Sequence, residues 1–222
     1  MLTAGKGGEA DRAAALEQLC RSYWPTAYAY IRWRNADEET ARDLTQEFFA
    51  RLLEKNWLES AEPGQGRFRA FLLTMLKRFL ANEYDYRTRL KRGGGAVALP
   101  LDWSEAPEVA DTAESPEQAF DRRWALTVMQ RAAAVLRAEA ESAGRAALFQ
   151  ALSPHIAADP EPGVYEEIAA AMGMSKPAVA MAVHRLRLRL RELTRAEIAE
   201  TLTDRDNLEN ELAELMTALR GR

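Results

Sequence analysis

The stretch that most narrows the possible folds runs from Tyr165 to Leu193 and reads YEEIAAAMGMSKPAVAMAVHRLRLRLREL. Its apolar residues keep a helical period on either side of a break at Gly173. Tyr165 to Met172 predicts a short helix with one apolar face. Gly173 can take the left-handed backbone that ends a helix, because it has no Cβ to clash. Ser175 offers a side-chain oxygen to the orphan amides of a following helix. Pro177 fits that helix's first turn, where a missing N–H costs nothing. In the second helix Val179, Val183, Leu186, Leu190 and Leu193 form one buried stripe, and Arg185, Arg187, Arg189 and Arg191 lie off it. Two helices, a three-residue turn containing glycine and a basic second helix read as a helix-turn-helix, a motif that lays its second helix in the major groove of DNA. The plainer alternative is a helical hairpin with a solvated arginine face.

The rest of the chain supports an all-α fold. Its 222 residues suggest one or two domains, and a hydrophobic content of 47% is enough for real cores. With 12 Gly and 9 Pro and long runs of Ala, Leu, Glu and Arg, helix formers dominate. Cys20 is the single cysteine, which excludes a disulfide framework and a cysteine zinc site and suits a reducing cytosol. No apolar run approaches the roughly 18 residues of a membrane span. The first residues, MLTAGKGGEADR, lack an apolar signal core and read as a frayed tail. The expected location is cytoplasmic, with no membrane partner.

Net charge is −4, but the charges are segregated. Gln65 to Arg92 holds eight bases and two acids, and Gly93 to Asp121 holds seven acids and no base. Lys176 to Arg195 has six bases and one acid, and Ala196 to Arg222 has seven acids and three bases. Two basic blocks separated by an acidic connector are more than solubility requires.

Taken in order, Asp11 to Arg34 predicts a helix with Leu16, Leu19, Tyr23, Ala27, Tyr30 and Ile31 inward, kinked or broken at Pro25. Asn35 can end it and Asp37 can cap the next, which runs to Trp57 with Leu44, Phe48, Leu52, Phe49 and Leu53 as its apolar face. Asp43, Gln46 and Glu47 flank that face, and on spacing alone they are ordinary solvated surface. Glu62 to Gly66 is a loop by composition. A third helix spans about Arg67 to Arg89, burying Phe68, Phe71, Leu72, Met75, Phe79 and Leu80. Lys77, Arg78, Asn82, Arg87 and Arg89 are available on the other side, interleaved with Tyr84 and Tyr86. Cations among aromatics suit single-stranded nucleic acid, charge for phosphates and flat faces for bases; the alternative is that the rings are core and the bases only solubilise.

Gly93 to Gln118, with Pro100, Pro107 and Pro116, reads as an extended acidic linker in which Leu99, Leu101, Trp103 and Val109 could dock. Ser115-Pro116-Glu117 starts the next helix well. Phe120 to Ala140 is helical with Trp124, Val128, Met129 and Leu136 inward. Ala146 to Leu152 is a shorter helix and Ser153 to Val164 a loop. After the two helices already described, Ala196 to Leu219 predicts one or two acidic amphipathic helices. His155 and His184 are far apart in sequence, and no nucleophile, acid–base or metal-ligand set stands out. No catalytic residue, metal or cofactor is therefore expected.

Three segments in this order resemble the extracytoplasmic-function group of bacterial RNA polymerase sigma factors, within the sigma-70 family. ARDLTQEFFARLL at 41–53 is similar to the group's core-binding helix. RFRAFLLTMLKRFLANEYDYRTRLKR at 67–92 is similar to its −10-binding, strand-separating helices, and YEEIAAAMGMSKPAVAMAVHRLRLRL at 165–190 to its −35-binding helix-turn-helix. The resemblance implies a region 2 domain over 1–95, an acidic linker over 96–118, a region 4 domain over 119–195 and an acidic helical extension over 196–222. It implies that Asp43, Leu44, Gln46, Glu47 and Phe48 bind core polymerase, through its β′ and β subunits. It places Lys77, Arg78, Asn82, Arg87, Arg89, Lys91 and Arg92 at the −10 element, where an extruded base costs a few kcal/mol that a pocket must offset. It places Ser175, Lys176, Ala180, Met181, His184 and Arg185 at the −35 element. Ala180 and Met181 depart from the Arg and Ser or Lys common there; they can touch thymine methyls but cannot donate to guanine. Arg187, Arg189 and Arg191 are better placed for phosphates or packing. Promoter DNA and an anti-sigma factor complete the partners the resemblance implies.

Two other readings compete with promoter recognition and melting. A stand-alone helix-turn-helix regulator would leave 41–53 and 67–92 unexplained. A helical interaction protein would make both basic blocks solvated faces.

Overall fold

The computed structural model describes residues 9–34, 36–54, 68–93, 114–158, 160–202 and 207–220, with side chains except at 9–19, 21, 54, 87–93 and 201. Among the described residues the regular structure is all-α, with no strand. The helices are α1 (Glu9–Trp33), α2 (Glu38–Glu54), α3 (Phe68–Gly93), α4 (Pro116–Ser142), α5 (Ala146–Leu152), α6 (Val164–Met172), α7 (Lys176–Thr201) and α8 (Leu208–Arg220), with one 3-10 turn at Ser153–His155.

Local chemistry sets several of these ends. Asp37 caps α2: its Oδ1 accepts the Thr40 N–H at 2.9 Å and its Oδ2 the Thr40 hydroxyl at 2.6 Å. The Thr40 hydroxyl and N–H hold the Asp37 carboxyl below the ordinary value. At α4 the Ser115 Oγ accepts the Gln118 N–H at 3.2 Å, and Gln118 Oε1 accepts the Ser115 N–H at 2.6 Å, a reciprocal capping box. Two helices run on where the sequence offered a break or an end. α1 runs through Pro25 without being broken in two, because Tyr23, Ala27, Tyr30 and Ile31 around it are fully packed and offset the lost backbone bond. α7 continues past Arg195 to Thr201, since Thr194 and Ile198 keep the helical stripe buried beyond the basic run. The expectations for Asn35, Trp57, the Glu62–Gly66 loop, Leu99, Leu101, Trp103 and Val109, and for the side chains of Leu16 and Leu19, lie outside the described residues.

The chain divides into two compact units, Met1–Thr127 with Glu200–Arg222, and Val128–Ala199. The division falls inside α4 and α7. In the first unit α1, α2 and α3 share a core of Tyr23, Tyr30, Ile31, Leu44, Phe48, Leu52, Leu72, Phe79 and Leu80, together with Leu76. Rings cross between helices at Tyr23–Phe68 (5.2 Å) and Phe48–Phe79 (5.6 Å). The start of α4 and α8 join this unit because they bring buried side chains to it, Phe120 and Trp124 from α4 and Leu215 from α8. Phe120 packs edge-on to Tyr30 at 6.2 Å; burying a ring of this size contributes about 1.5–3 kcal/mol.

The second unit holds two apolar clusters. Leu152, Ala169, Val179 and Val183 form one, with Leu148, Tyr165 and Ile168 against it. Ala132, Leu136 and Leu193 form the other, with Phe149, Ile156 and Leu190, and Leu186 touches both. No helix among the described residues is long and apolar enough to cross a membrane.

Candidate nucleic-acid and polymerase interface

Three helical faces carry the expected contact residues. On α2, Asp43 and Gln46 are exposed and Glu47 is half-exposed, whereas Leu44 and Phe48 are buried in the first unit's core. The two apolar residues therefore hold the helix in place, and only the polar three reach the surface. Glu47 is not loose. It accepts from Arg51 at 2.5 Å, and Arg51 also pairs with Glu83 of α3 at 2.7 Å while lying 5.2 Å over the Phe79 ring. Partial burial works against the Arg51 charge, but Glu83 and Glu47 outweigh it and raise its pKa. Arg51 thus fixes the acidic edge of α2 relative to α3. The Glu47–Arg51 spacing of four residues is a helical pairing signal that the sequence carries; the burial of Glu83 is a tertiary fact that it does not.

On α3 the bases divide. Lys77, Arg78 and Asn82 are exposed, as are Tyr84 and Tyr86. Lys77 is paired at 2.6 Å with Glu117 at the start of α4. Partial burial tends to raise the Glu117 pKa, yet the Lys77 hydrogen bond holds it below the ordinary value. Arg69, counted in the basic block, does not face outward. It is 8% exposed, lies 4.5 Å over the Trp124 ring and binds Asp121 of α4 and Glu214 of α8, with Glu211 at 3.4 Å. The backbone of α3 carries Arg87, Arg89, Lys91 and Arg92, whose side chains lie outside the described residues.

In the second unit α6 ends where glycine is needed. Gly173 has φ 63°, and its N–H meets the carbonyls of Ala169 and Ala170 while the Met174 N–H reaches Ala169 O at 2.9 Å. Ser175 Oγ accepts the Ala178 N–H at 3.4 Å as α7 begins. Lys176 pairs with Glu166 of α6 at 2.6 Å, tying the two helices across the turn. Val179 and Val183 are buried, and Ala180, Met181, His184 and Arg185 share the opposite, exposed face.

The other arginines of α7 separate by task. Arg187 donates to the backbone carbonyls of Ile156 (3.1 Å), His155 (2.8 Å) and Ala158 (3.0 Å), holding the turn after α5. Arg189 binds both carboxylate oxygens of Glu139 at 2.9 and 2.6 Å, and Glu192 at 2.8 Å. The Arg189 hydrogen bond holds the Glu139 carboxyl below its ordinary value, and Glu139 in turn raises the Arg189 pKa. Arg187 and Arg189 therefore serve packing, leaving Arg185 and Arg191 as outward-facing arginines.

Among the described residues no three His, Cys, Asp or Glu side chains are grouped to hold a metal ion. The exposed chemistry is helical, polar and rich in donors, suited to binding polyanions and protein surfaces. No curated protein and no solved structure matches the chain. Residues 19–90, which include all of α2 and most of α3, match the family model for sigma-70 region 2.

Proposed function

We propose that the chain is a dissociable promoter-recognition subunit of RNA polymerase, of the extracytoplasmic-function kind, with no chemistry of its own. One observation carries this most directly. Inside the segment matching region 2, α2 buries Leu44, Phe48, Phe49 and Leu52, leaves the expected Leu53 exposed, and presents Asp43, Gln46 and Glu47 on its open side. A polar edge held by Arg51 on a packed helix suits a protein partner better than bulk solvent alone would require. The polymerase clamp is the partner the resemblance implies for that edge.

The second half of α3, with exposed Arg78, Asn82, Tyr84 and Tyr86, would hold the displaced strand through phosphate contacts and ring stacking. The α6–turn–α7 unit would sit as a helix-turn-helix in the −35 major groove, Lys176, His184 and Arg185 reading polar edges and Ala180 and Met181 touching thymine methyls. Such a subunit would work in the cytoplasm.

The test is co-purification with core polymerase. Asp43→Lys with Glu47→Lys should abolish holoenzyme formation while the protein keeps its helical content and binds duplex DNA as before. Wild-type recovery of the double variant with polymerase would overturn the reading. Failure of the unmutated protein to bind polymerase at all would favour a stand-alone DNA-binding regulator.

A further inference from the structure

A cavity of about 380 Å³ lies within the second unit, between the end of α4, α5 and α7. Ligand pockets begin at about 300 Å³, so its size suits a small molecule. Ten of its fourteen lining residues are apolar, with Leu136, Leu148, Phe149 and Leu186 among them. The polar four are Glu139, Arg145, Arg185 and Arg189. Glu139 and Arg189 neutralise each other. Arg145 and Arg185 have no carboxylate partner among the described residues, and both are exposed at the rim. An apolar floor beneath two uncommitted guanidinium groups is complementary to a molecule with an apolar body and one anionic end. Guanidinium matches the planar carboxylate fork better than any other side chain does.

We infer that this cavity binds an amphipathic carboxylate, a medium-chain or single-ring organic acid, with its apolar body between α4, α5 and α7 and its carboxylate at Arg145 and Arg185. The site itself stands apart from the proposed function. One consequence rests on that function: Met181 and Arg185 line the cavity and also belong to the face assigned to the −35 element. A carboxylate on Arg185 then competes with the duplex, so ligand and DNA weaken each other by the same factor.

The experiment is calorimetric titration of the full chain with decanoate, with decanol as the uncharged analogue. One decanoate should bind per chain, with decanol at least roughly tenfold weaker. Arg145→Ala and Arg185→Ala should each weaken decanoate roughly tenfold, the loss expected for one charged hydrogen-bonding partner. Arg137→Ala, an exposed arginine of α4 outside the cavity lining, should change nothing. Both rim variants are at exposed positions, so folding is not at stake. Absence of saturable binding overturns the inference, as does decanol binding equal to decanoate with both rim variants unchanged. In a second arm, a short duplex at low salt is titrated with and without saturating decanoate. Weaker duplex binding supports the competition. Decanoate binding that leaves duplex affinity unchanged keeps the site and instead removes Arg185 from the duplex-reading face.

Discussion

α3 and α7 look alike as sequences: each is long, amphipathic and rich in Arg and Lys. The structure uses their bases differently. On α3 the division follows position along the helix. Arg69, near its start, is sunk among carboxylates from α4 and α8, and Lys77 is paired with Glu117, while Arg78 and Asn82 stand open with Tyr84 and Tyr86 beyond them. On α7 the division follows which acceptors lie within reach. Arg187 and Arg189 hold the 155–158 turn and Glu139, while Arg185 and Arg191 point out. Total charge in a segment therefore overstates the charge available to a polyanion. What a base does depends on whether an acceptor from elsewhere in the chain reaches it first.

The sharpest way to break this comparison is to remove the most buried base. Arg69→Ala should destabilise the first unit by about 3–5 kcal/mol, because the buried carboxylate of Glu211 would lose the guanidinium beside it. A thermal melt checks it, and a melt unchanged by the substitution would mean that Arg69 is one more solvated cation. Next in size is Arg187→Ala, with an expected loss of about 1.5 kcal/mol, since three backbone carbonyls lose a donor near the surface. Amide exchange at residues 156–158 should quicken in that variant and stay constant in Arg191→Ala.

Arg78→Ala should leave stability within roughly 0.5 kcal/mol of the parent. Its effect should appear instead in DNA melting, as reduced permanganate reactivity in the holoenzyme. The dependence of log affinity on log salt should fall by about one unit. Arg69→Ala, if refolded in a stabilising buffer, should show no such change in slope.

The smallest effect concerns pH. Glu139 is depressed below its ordinary 4.5 by the Arg189 hydrogen bond. A depressed carboxylate stabilises the fold above the unfolded value, and that contribution is lost as pH falls through the folded value. The melting temperatures of the parent and Glu139→Gln should therefore differ at neutral pH and converge well below pH 4.5. A constant gap down to acid pH would remove the ion pair as its cause.

Much of the architecture was legible because it rests on local signals. The Gly173 stop, the Ser175 and Asp37 caps, the Ser115-Pro116 start and the apolar periods of α2, α3 and α7 are decided within a few residues. What escaped depends on distance along the chain. The partners of Arg69 lie 52 and 145 residues away, and no short-range pattern points to them. For the same reason the acidic helix α8 looked like an addition, yet Leu215 and Glu211 are buried in the first unit. At Pro25, of the kink or break that the sequence offered, the helix is not broken: packing on both sides outweighs the local penalty. Of the expected site on α2, the polar positions could be read from the helical wheel. That Leu44 and Phe48 are fully enclosed required knowing where α1 and α3 lie.

The assembly of the first unit from two separated stretches has a consequence for how the protein is made. A ribosome releases chain in order, at about 5–20 residues per second. Residues 128–199 can begin their own core as they emerge, because the Leu152–Val183 and Ala132–Leu193 clusters are drawn from within that segment. The first unit starts earlier but closes later: Arg69 waits for Glu211 and Glu214, which emerge only after the whole second unit has been synthesised. During that interval Arg69 can reach Asp121 but neither carboxylate of α8. The order of translation thus makes the arrival of α8 the event that completes the carboxylate set around Arg69 and finishes the earlier unit last.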